Sequence, residues 1–491
     1  MPFFSKKFLL KWFLIALGIK LFIFIYLTVI FHNNFPSGQF VNGIFVKSKD
    51  YGSYILPLEN LINQGTYMSK EKGEIFYAYK MPGYLPLYAP LYFFFGRDSA
   101  LTGIILANIF LDAIATVLLG IISFWIFSSS LAFYLTFFFY GLSFFVSIYN
   151  HYALVESISA SAFVISLFFF IKAIKYSKKR DFLRSGIFFC WTIFLRTPSG
   201  IILPAAVFTF FIYSFYYSEN FSIKLFFRNI FIWLLPFIIC ESVWVTRNFI
   251  MMNRFVPLAT TMEDFNSPHY RSLLNLIKCW GGDVLPWIPR SEGNWFLSES
   301  NRAFNTEFSN SNPFNKKIFT PDYNYDSIVQ LRKYYWLMQD ISLSQMERKS
   351  YSDLFLKKSE EYKLSFKKNH LLQYYFFSPM KIIIPLVFIR YVHGSPFVQK
   401  NIFHNINKGI ILLLYYLILF LGTAGIILSF VKKNVFIMLL FIPPFAYIIA
   451  HAYLGAGENR YLTTIFPFLV LFASYALLFF YDKFKMKKIA N

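Results

Sequence analysis

Residues 8–31 read FLLKWFLIALGIKLFIFIYLTVIF, an apolar run that follows Lys6 and Lys7 and carries only Lys11 and Lys20 as charges. A helix rises 1.5 Å per residue, so roughly 20 such residues cross the ~30 Å hydrocarbon layer of a bilayer. No small-residue cleavage site follows, and the run reads as a retained span and not as a removed signal peptide. Working outward along the chain, similar windows give about ten spans. They are Phe8–Phe31, Leu101–Ile126, Leu131–Ile148, Ala153–Ile174, Ser185–Leu195, Gly200–Tyr216, Ile230–Val245, Gly409–Val431, Val435–Tyr453 and Leu462–Tyr481. The fifth is short and ends at Arg196-Thr197-Pro198, since a proline biases the residue before it away from helix.

Composition agrees. A chain of 491 residues that is 57% hydrophobic and only 15% charged cannot hide its apolar surface in a soluble fold. The net charge of +22 would suit a nucleic-acid partner, but its placement argues otherwise. Basic residues flank the apolar runs as cytoplasmic anchors do. Lys6, Lys7 and Lys11 precede the first span; Lys175, Lys178, Lys179, Arg180 and Arg184 separate the fourth and fifth. Lys224 and Arg228 precede the seventh, Lys432 and Lys433 join the eighth and ninth, and Lys483, Lys485, Lys487 and Lys488 close the chain. One arrangement puts all of these on the same side: both termini cytoplasmic, with an even number of spans.

Two long segments, about 32–95 and about 246–408, then fall outside. The second is large enough for a small domain, which divides the chain into 1–248, 249–405 and 406–491. Every histidine (His32, His151, His269, His370, His393, His404 and His451) lies outside or at the outer boundary. Cys190, Cys240 and Cys279 imply no disulfide framework, and no HExxH or CxxC spacing marks a metal site.

Chemistry at such a face would draw on carboxylates able to take a proton, cations able to hold an anion, and an apolar groove supplied by the spans. Asp50 stands in the first external loop before the amphipathic stretch Ile55-Leu56-Pro57-Leu58-Glu59-Asn60-Leu61; it is either such a carboxylate or a cap for that short helix. Tyr79-Lys80-Met81-Pro82-Gly83-Tyr84-Leu85-Pro86 is a stiff re-entry to the membrane, with Lys80 at headgroup depth as a phosphate contact or an interfacial anchor. Glu156 begins the fourth span, where a carboxylate faces the bundle or a wet cavity; it serves a site there or an internal ion pair that holds the helices together, with Arg196 at the neighbouring span end as its partner. Arg247 and Arg460 reach the same face, and an Arg fork suits a phosphate, although pairing with Glu458 or headgroups explains them equally. His451 reads as a proton carrier or a hydrogen-bonded structural residue. Lys20, Asp112 and Glu241 lie inside apolar runs, in mutual pairs, in a polar seam or along a transport pathway. The external Trp280, Trp287 and Trp295, near Gly281-Gly282, would stack on sugars or form a core.

The order of these elements resembles the membrane glycosyltransferases of the GT-C class, in particular the bacterial relatives of protein O-mannosyltransferases and the lipid A aminoarabinose transferase. The likeness starts at Asp50-Tyr51 and Leu61-Ile62-Asn63-Gln64-Gly65-Thr66-Tyr67, and runs through Met81-Pro82-Gly83-Tyr84-Leu85-Pro86-Leu87 and Phe95-Gly96. Glu156, Leu195-Arg196-Thr197-Pro198, Trp244-Val245-Thr246-Arg247-Asn248-Phe249, Arg254-Phe255-Val256-Pro257-Leu258-Ala259-Thr260, Glu458-Asn459-Arg460-Tyr461 and Pro467-Phe468 continue it. Residues from about 265 to 403 share nothing specific. Two departures stand out: Tyr79-Lys80-Met81 replaces the class's more common Arg, or Glu followed by Lys, and Tyr51 follows the loop acid.

The resemblance implies an all-α integral membrane protein, a GT-C-like bundle of about ten helices with a periplasmic or external domain. It also implies an inverting enzyme in a bacterial inner membrane, with its active site outside. Asp50 would be the general base, with Glu156 as the second catalytic carboxylate, orienting acceptor or sugar. Lys80, Tyr84, Arg196, Arg247, Glu458 and Arg460 would bind substrate or phosphate. The partners would be a polyprenyl-phosphate (undecaprenyl-phosphate-type) sugar donor, a glycan, lipid or protein acceptor and the bilayer, with no nucleic acid. A divalent cation serves some branches of the class, but the single loop acid offers no ligand set, and no cofactor is expected. The alternatives are a polysaccharide polymerase or ligase, and a transporter or flippase of lipid-linked sugars that would depend on Lys20, Asp112 and Glu241.

Overall fold

A computed structural model of the chain describes residues 4–34, 40–42, 45–46, 50–71, 74–217, 221–259, 268–280, 296, 318–340, 342–388, 402–455 and 457–490. It divides into two compact units: Met1–Ala259 with Tyr391–Tyr447 and Leu462–Asn491, and Thr260–Arg390 with Ile448–Tyr461.

The first unit is built of long apolar helices: α1 (Lys6–Asn34), α4 (Arg97–Phe127), α5 (Ser130–Leu142), α7 (Val155–Tyr176), α8 (Lys179–Leu195), α9 (Ile202–Tyr217) and α10 (Ile223–Met252). It closes with α15 (Ile402–Val431), α16 (Val435–Leu454, which passes into the second unit) and α17 (Phe466–Ala490). The shorter α2 (Tyr51–Gln64), α3 (Leu85–Phe95) and α6 (Phe144–Ser147) sit between them. So do two small antiparallel hairpins, β1 (Phe40–Val41) with β2 (Phe45–Val46) and β3 (Ser69–Glu71) with β4 (Glu74–Phe76).

Helix dominates because a chain in hydrocarbon must satisfy its own backbone groups. Among the described residues nine helical segments are long and apolar enough to cross a membrane, and the protein is a multi-pass membrane protein. The expected fifth span is the exception. α8 has 17 residues and a length of roughly 25 Å at 1.5 Å per residue. It stops at Leu195, with Arg196 extended (φ −143°, ψ 94°) ahead of the 3₁₀ turn Thr197–Ile201.

Close approach joins α8 to α10. A Cβ on Gly186 would lie 2.0 Å from the Trp233 carbonyl oxygen, so only glycine permits that crossing. Of the three charges inside apolar runs, Lys20 and Asp112 form an ion pair (Nζ–Oδ2 3.1 Å) with both side chains fully buried between α1 and α4. Ser147 and Asn150 also donate to that oxygen, at 2.8 and 3.2 Å. Glu241 lies apart and accepts the Leu258 backbone N–H at 2.6 Å.

The second unit packs α11 (Pro268–Trp280), α12 (Tyr325–Leu337), α13 (Gln345–Asn369) and α14 (Ser378–Val387) around a core that includes Leu276, Ile277, Phe296, Phe355 and Phe366. α13 starts at a capping box formed by Ser344 and Glu347. Trp280 belongs to this core, 2% exposed, and its indole donates to the Tyr362 hydroxyl at 2.7 Å; it is no sugar platform. Trp287, Trp295, Gly281, Gly282 and His393 lie outside the described residues.

Removing one partner of a buried ion pair leaves an uncompensated charge, at a cost of about 3–5 kcal/mol. Asp112→Ala is therefore expected to lose about that much stability, read by thermal unfolding of the purified chain in detergent. The double variant Lys20→Met with Asp112→Leu should recover most of it; a loss in Asp112→Ala below about 1 kcal/mol would show the pair to be dispensable.

Candidate active site

The site grows from the first loop of unit one. Asp50 precedes α2 in the capping position but its side chain makes no capping bond; the Ser53 N–H and hydroxyl instead donate to its backbone carbonyl, at 3.1 and 2.7 Å. The half-buried carboxylate is thus not spent as a helix cap. α2 lies on the bundle through Ile55 and Leu58. Tyr54 stands one helical turn beyond Asp50. Farther along, Glu59 accepts the Tyr88 hydroxyl at 2.8 Å and Arg97 Nε at 2.7 Å, fastening α2 to α3 and α4.

Arg247 ties the rest of the loop down. Its guanidinium donates to the backbone carbonyls of Tyr67 and Tyr77 and to Asn248 Oδ1, and lies 5.1 Å from the Trp244 ring centroid. Burial pushes the Tyr67 hydroxyl above its ordinary range, with the Arg247 charge opposing. That hydroxyl donates to the Lys80 carbonyl at 3.0 Å. Lys80 Nζ sits 5.0 Å from the Tyr54 ring centroid and 4.8 Å from that of Tyr79, in cation–π contact.

The loop then meets the span ends. A Cβ on Gly83 would lie 2.4 Å from the Leu195 backbone nitrogen, so this turn rests directly on the last residue of α8. The Trp191 indole donates to the Gly83 carbonyl at 2.9 Å. Tyr84, 2% exposed, donates to the Leu154 carbonyl at 2.8 Å. Burial first, then the charges of Glu156 and Tyr54, hold its hydroxyl well above the usual tyrosine range, so it stays a neutral donor.

Glu156 lies in the first turn of α7, where the helix dipole favours an anion. Its carboxylate faces Arg196 at 3.5 Å, both side chains nearly fully buried. This is the pairing that the two span ends implied. Arg196 also donates to Thr463 Oγ1 at 3.3 Å, and the buried Tyr447 hydroxyl lies within the field of both charges.

Tyr54, Lys80, Tyr84, Glu156 and Arg196 therefore gather at one end of the bundle, with Asp50 a turn away and Arg247 linked through Tyr67. Alternation of helix direction puts the basic connectors at the opposite end. Glu458 and Arg460 belong to the second unit, where they pair with each other. His451, in the same unit, stacks on Tyr461 with centroids 4.9 Å apart. His151 packs flat on Phe24 (centroids 4.1 Å apart) and contacts its carbonyl at 3.0 Å, as a structural histidine does.

Tyr54, Tyr447 and Thr463 had no role assigned from the sequence, and Tyr67 stood there only as the last residue of a quoted motif. In a chain with 34 tyrosines, residue type alone could not single them out. Among the described residues no three His, Cys, Asp or Glu side chains gather in one place.

Gly83→Ala is expected to destabilise the protein by about 1–3 kcal/mol, because the backbone it meets cannot move aside as a flexible side chain would. Gly200→Ala, where a Cβ would lie 3.8 Å from Ile193, is the control and should stay within about 0.5 kcal/mol. Thermal unfolding in detergent measures both; equal midpoints would refute the close contact.

No protein-family model and no curated protein matches the chain. Two crystal structures of an oligosaccharyltransferase from Archaeoglobus fulgidus are similar to it, one in the apo form and one tethered by a disulfide bond to an acceptor peptide containing the NVT sequon. Both have a TM-score of 0.49, at 13% identity for the apo form and 14% for the tethered one. Each likeness covers 100% of this chain and 52% of the other, so the chain spans about half the length of those proteins.

Proposed function

We propose that this protein is a membrane glycosyltransferase of the GT-C type, which moves a sugar from a polyprenyl-phosphate donor to a glycan, lipid or protein acceptor with inversion. The reaction runs on the membrane face opposite the basic connectors, the external one under the positive-inside rule. The observation that carries this reading is the cluster at that end of the bundle. The Glu156–Arg196 pair is buried, with Tyr84 within the field of Glu156, Lys80 faces Tyr54, and the Asp50 side chain is not engaged as a helix cap.

In this reaction Asp50 takes the proton of the acceptor hydroxyl as its oxygen attacks the anomeric carbon. The bond from that carbon to the phosphate oxygen breaks, and the electron pair leaves with the polyprenyl phosphate. A single displacement of this kind inverts the anomeric centre. Lys80 meets the developing charge on the phosphate, and the neutral Tyr84 hydroxyl holds the turn in place. Glu156, oriented by Arg196, receives sugar or acceptor hydroxyls. Arg247 supports the loop through its carbonyl contacts and keeps Lys80 in position by way of Tyr67.

The test supplies purified wild type and Asp50→Asn with labelled polyprenyl-phosphate sugars and a membrane extract as acceptor pool. Removing a general base costs roughly 10²–10⁴-fold in rate, so the variant should lose that much transfer while still binding donor. Equal transfer by both proteins would remove Asp50 as the base, and no transfer by wild type with any donor would overturn the reading.

A further inference from the structure

An apolar cavity of the first unit lies far from this cluster, in the half of the bundle near the basic connectors. It measures about 320 Å³ and is walled by α7, α8, α9, α10 and α16, with Phe170, Phe210, Trp233 and Leu439 among its lining side chains. That volume falls within the ~300–1,000 Å³ of small-ligand sites.

Four of its polar wall groups are engaged elsewhere, while the buried Trp125 Nε1 finds no hydrogen-bond partner among the described residues. Ser166 and Ser185 donate to each other's carbonyls at 2.9 Å, the Trp233 indole donates to Ser185 Oγ at 3.0 Å, and Thr209 bonds the Ala205 carbonyl at 2.8 Å. With most of the remaining lining side chains apolar, the walls suit an apolar occupant.

The mouth is different. Lys175 lines the cavity at the end of α7, exposed, with Nζ 5.8 Å from the Trp125 ring centroid. From Lys175 to Arg184 the connector carries five basic residues and one acid, Asp181. Asp181 is already met by Arg184 at 3.0 Å and Lys172 at 4.0 Å. An apolar chamber inside the membrane with a cationic lip at headgroup depth matches one ligand chemistry: an anionic headgroup carrying an acyl chain.

We infer that this cavity holds an acyl chain of an anionic membrane phospholipid from the leaflet bordered by the basic connectors, with its phosphate against Lys175. Bound there, the lipid bridges α7, α9 and α16 and secures the basic end of the bundle. The inference is independent of the proposed chemistry at the opposite end.

Trp125 and Trp233 line the cavity and report on it directly. The full-length protein in detergent is titrated with phosphatidylglycerol bearing brominated acyl chains, and separately with phosphatidylcholine bearing the same chains. The Trp233 contribution is taken as the difference between wild type and Trp233→Phe. Saturable quenching is expected, with phosphatidylglycerol half-saturating at least fivefold below phosphatidylcholine. Lys175→Gln should abolish that preference, and Ala206→Phe, which fills the chamber, should abolish the Trp233 component. Thr209→Met serves the same purpose should Ala206→Phe fail to fold. Equal quenching by both lipids in wild type, or a Trp233 signal that survives a folded filling variant, would overturn the inference. So would displacement of phosphatidylglycerol by an equimolar polyprenyl phosphate, which would assign the chamber to that lipid instead.

Discussion

A charge carried into hydrocarbon must bring its counter-charge with it, and much of this protein's polar architecture follows from that constraint. Lys20 on α1 meets Asp112 on α4, and Glu156 at the start of α7 meets Arg196 just past the end of α8. On a water-exposed surface such pairs would contribute little. Inside the bundle each forms at only one axial offset of its helices, so each acts as a register pin. The second pin brings the end of the 17-residue α8 level with the start of α7 and places two ionisable side chains where the first loop covers them.

The loop itself is held by backbone contacts more than by side-chain packing. Arg247 spends its guanidinium on the carbonyls of Tyr67 and Tyr77, and Gly83 lets the turn settle onto Leu195 without a side chain between. An arginine used as a strut has less capacity to grip a phosphate, which leaves Lys80 as the cation of unit one best placed near Tyr54 and the carboxylates. For the transfer reaction proposed above, positioning of this sort would lower the barrier, since groups already oriented need no reorganisation as charge develops.

The two ends of the bundle are chemically unlike. At the site end, cations are matched to carboxylates, carbonyls and rings; at the other end they outnumber acids and border an apolar chamber. This contrast, and not the net charge of +22 as such, relates the protein to its surroundings, because anionic headgroups attract the unmatched end.

Much of the architecture could be read from the residues alone. Runs such as 8–31 dictate helices across a bilayer, basic connectors group at one side, and charges at Lys20, Asp112, Glu156 and Arg196 demand partners, two of which neighbouring span ends already suggested. Asp50 was visible too, as a carboxylate ahead of an amphipathic stretch, though whether it capped that helix was not. Tertiary structure alone decided that Glu241 takes a backbone N–H, that Trp280 is core, that Gly83 rests on Leu195, and that Tyr54, Tyr67 and Thr463 join the cluster. The reason is physical: a helix apolar on every side carries no stripe to mark its inward face. Its rotation and axial offset are set by ångström-scale packing against neighbours remote in sequence, which no local pattern records.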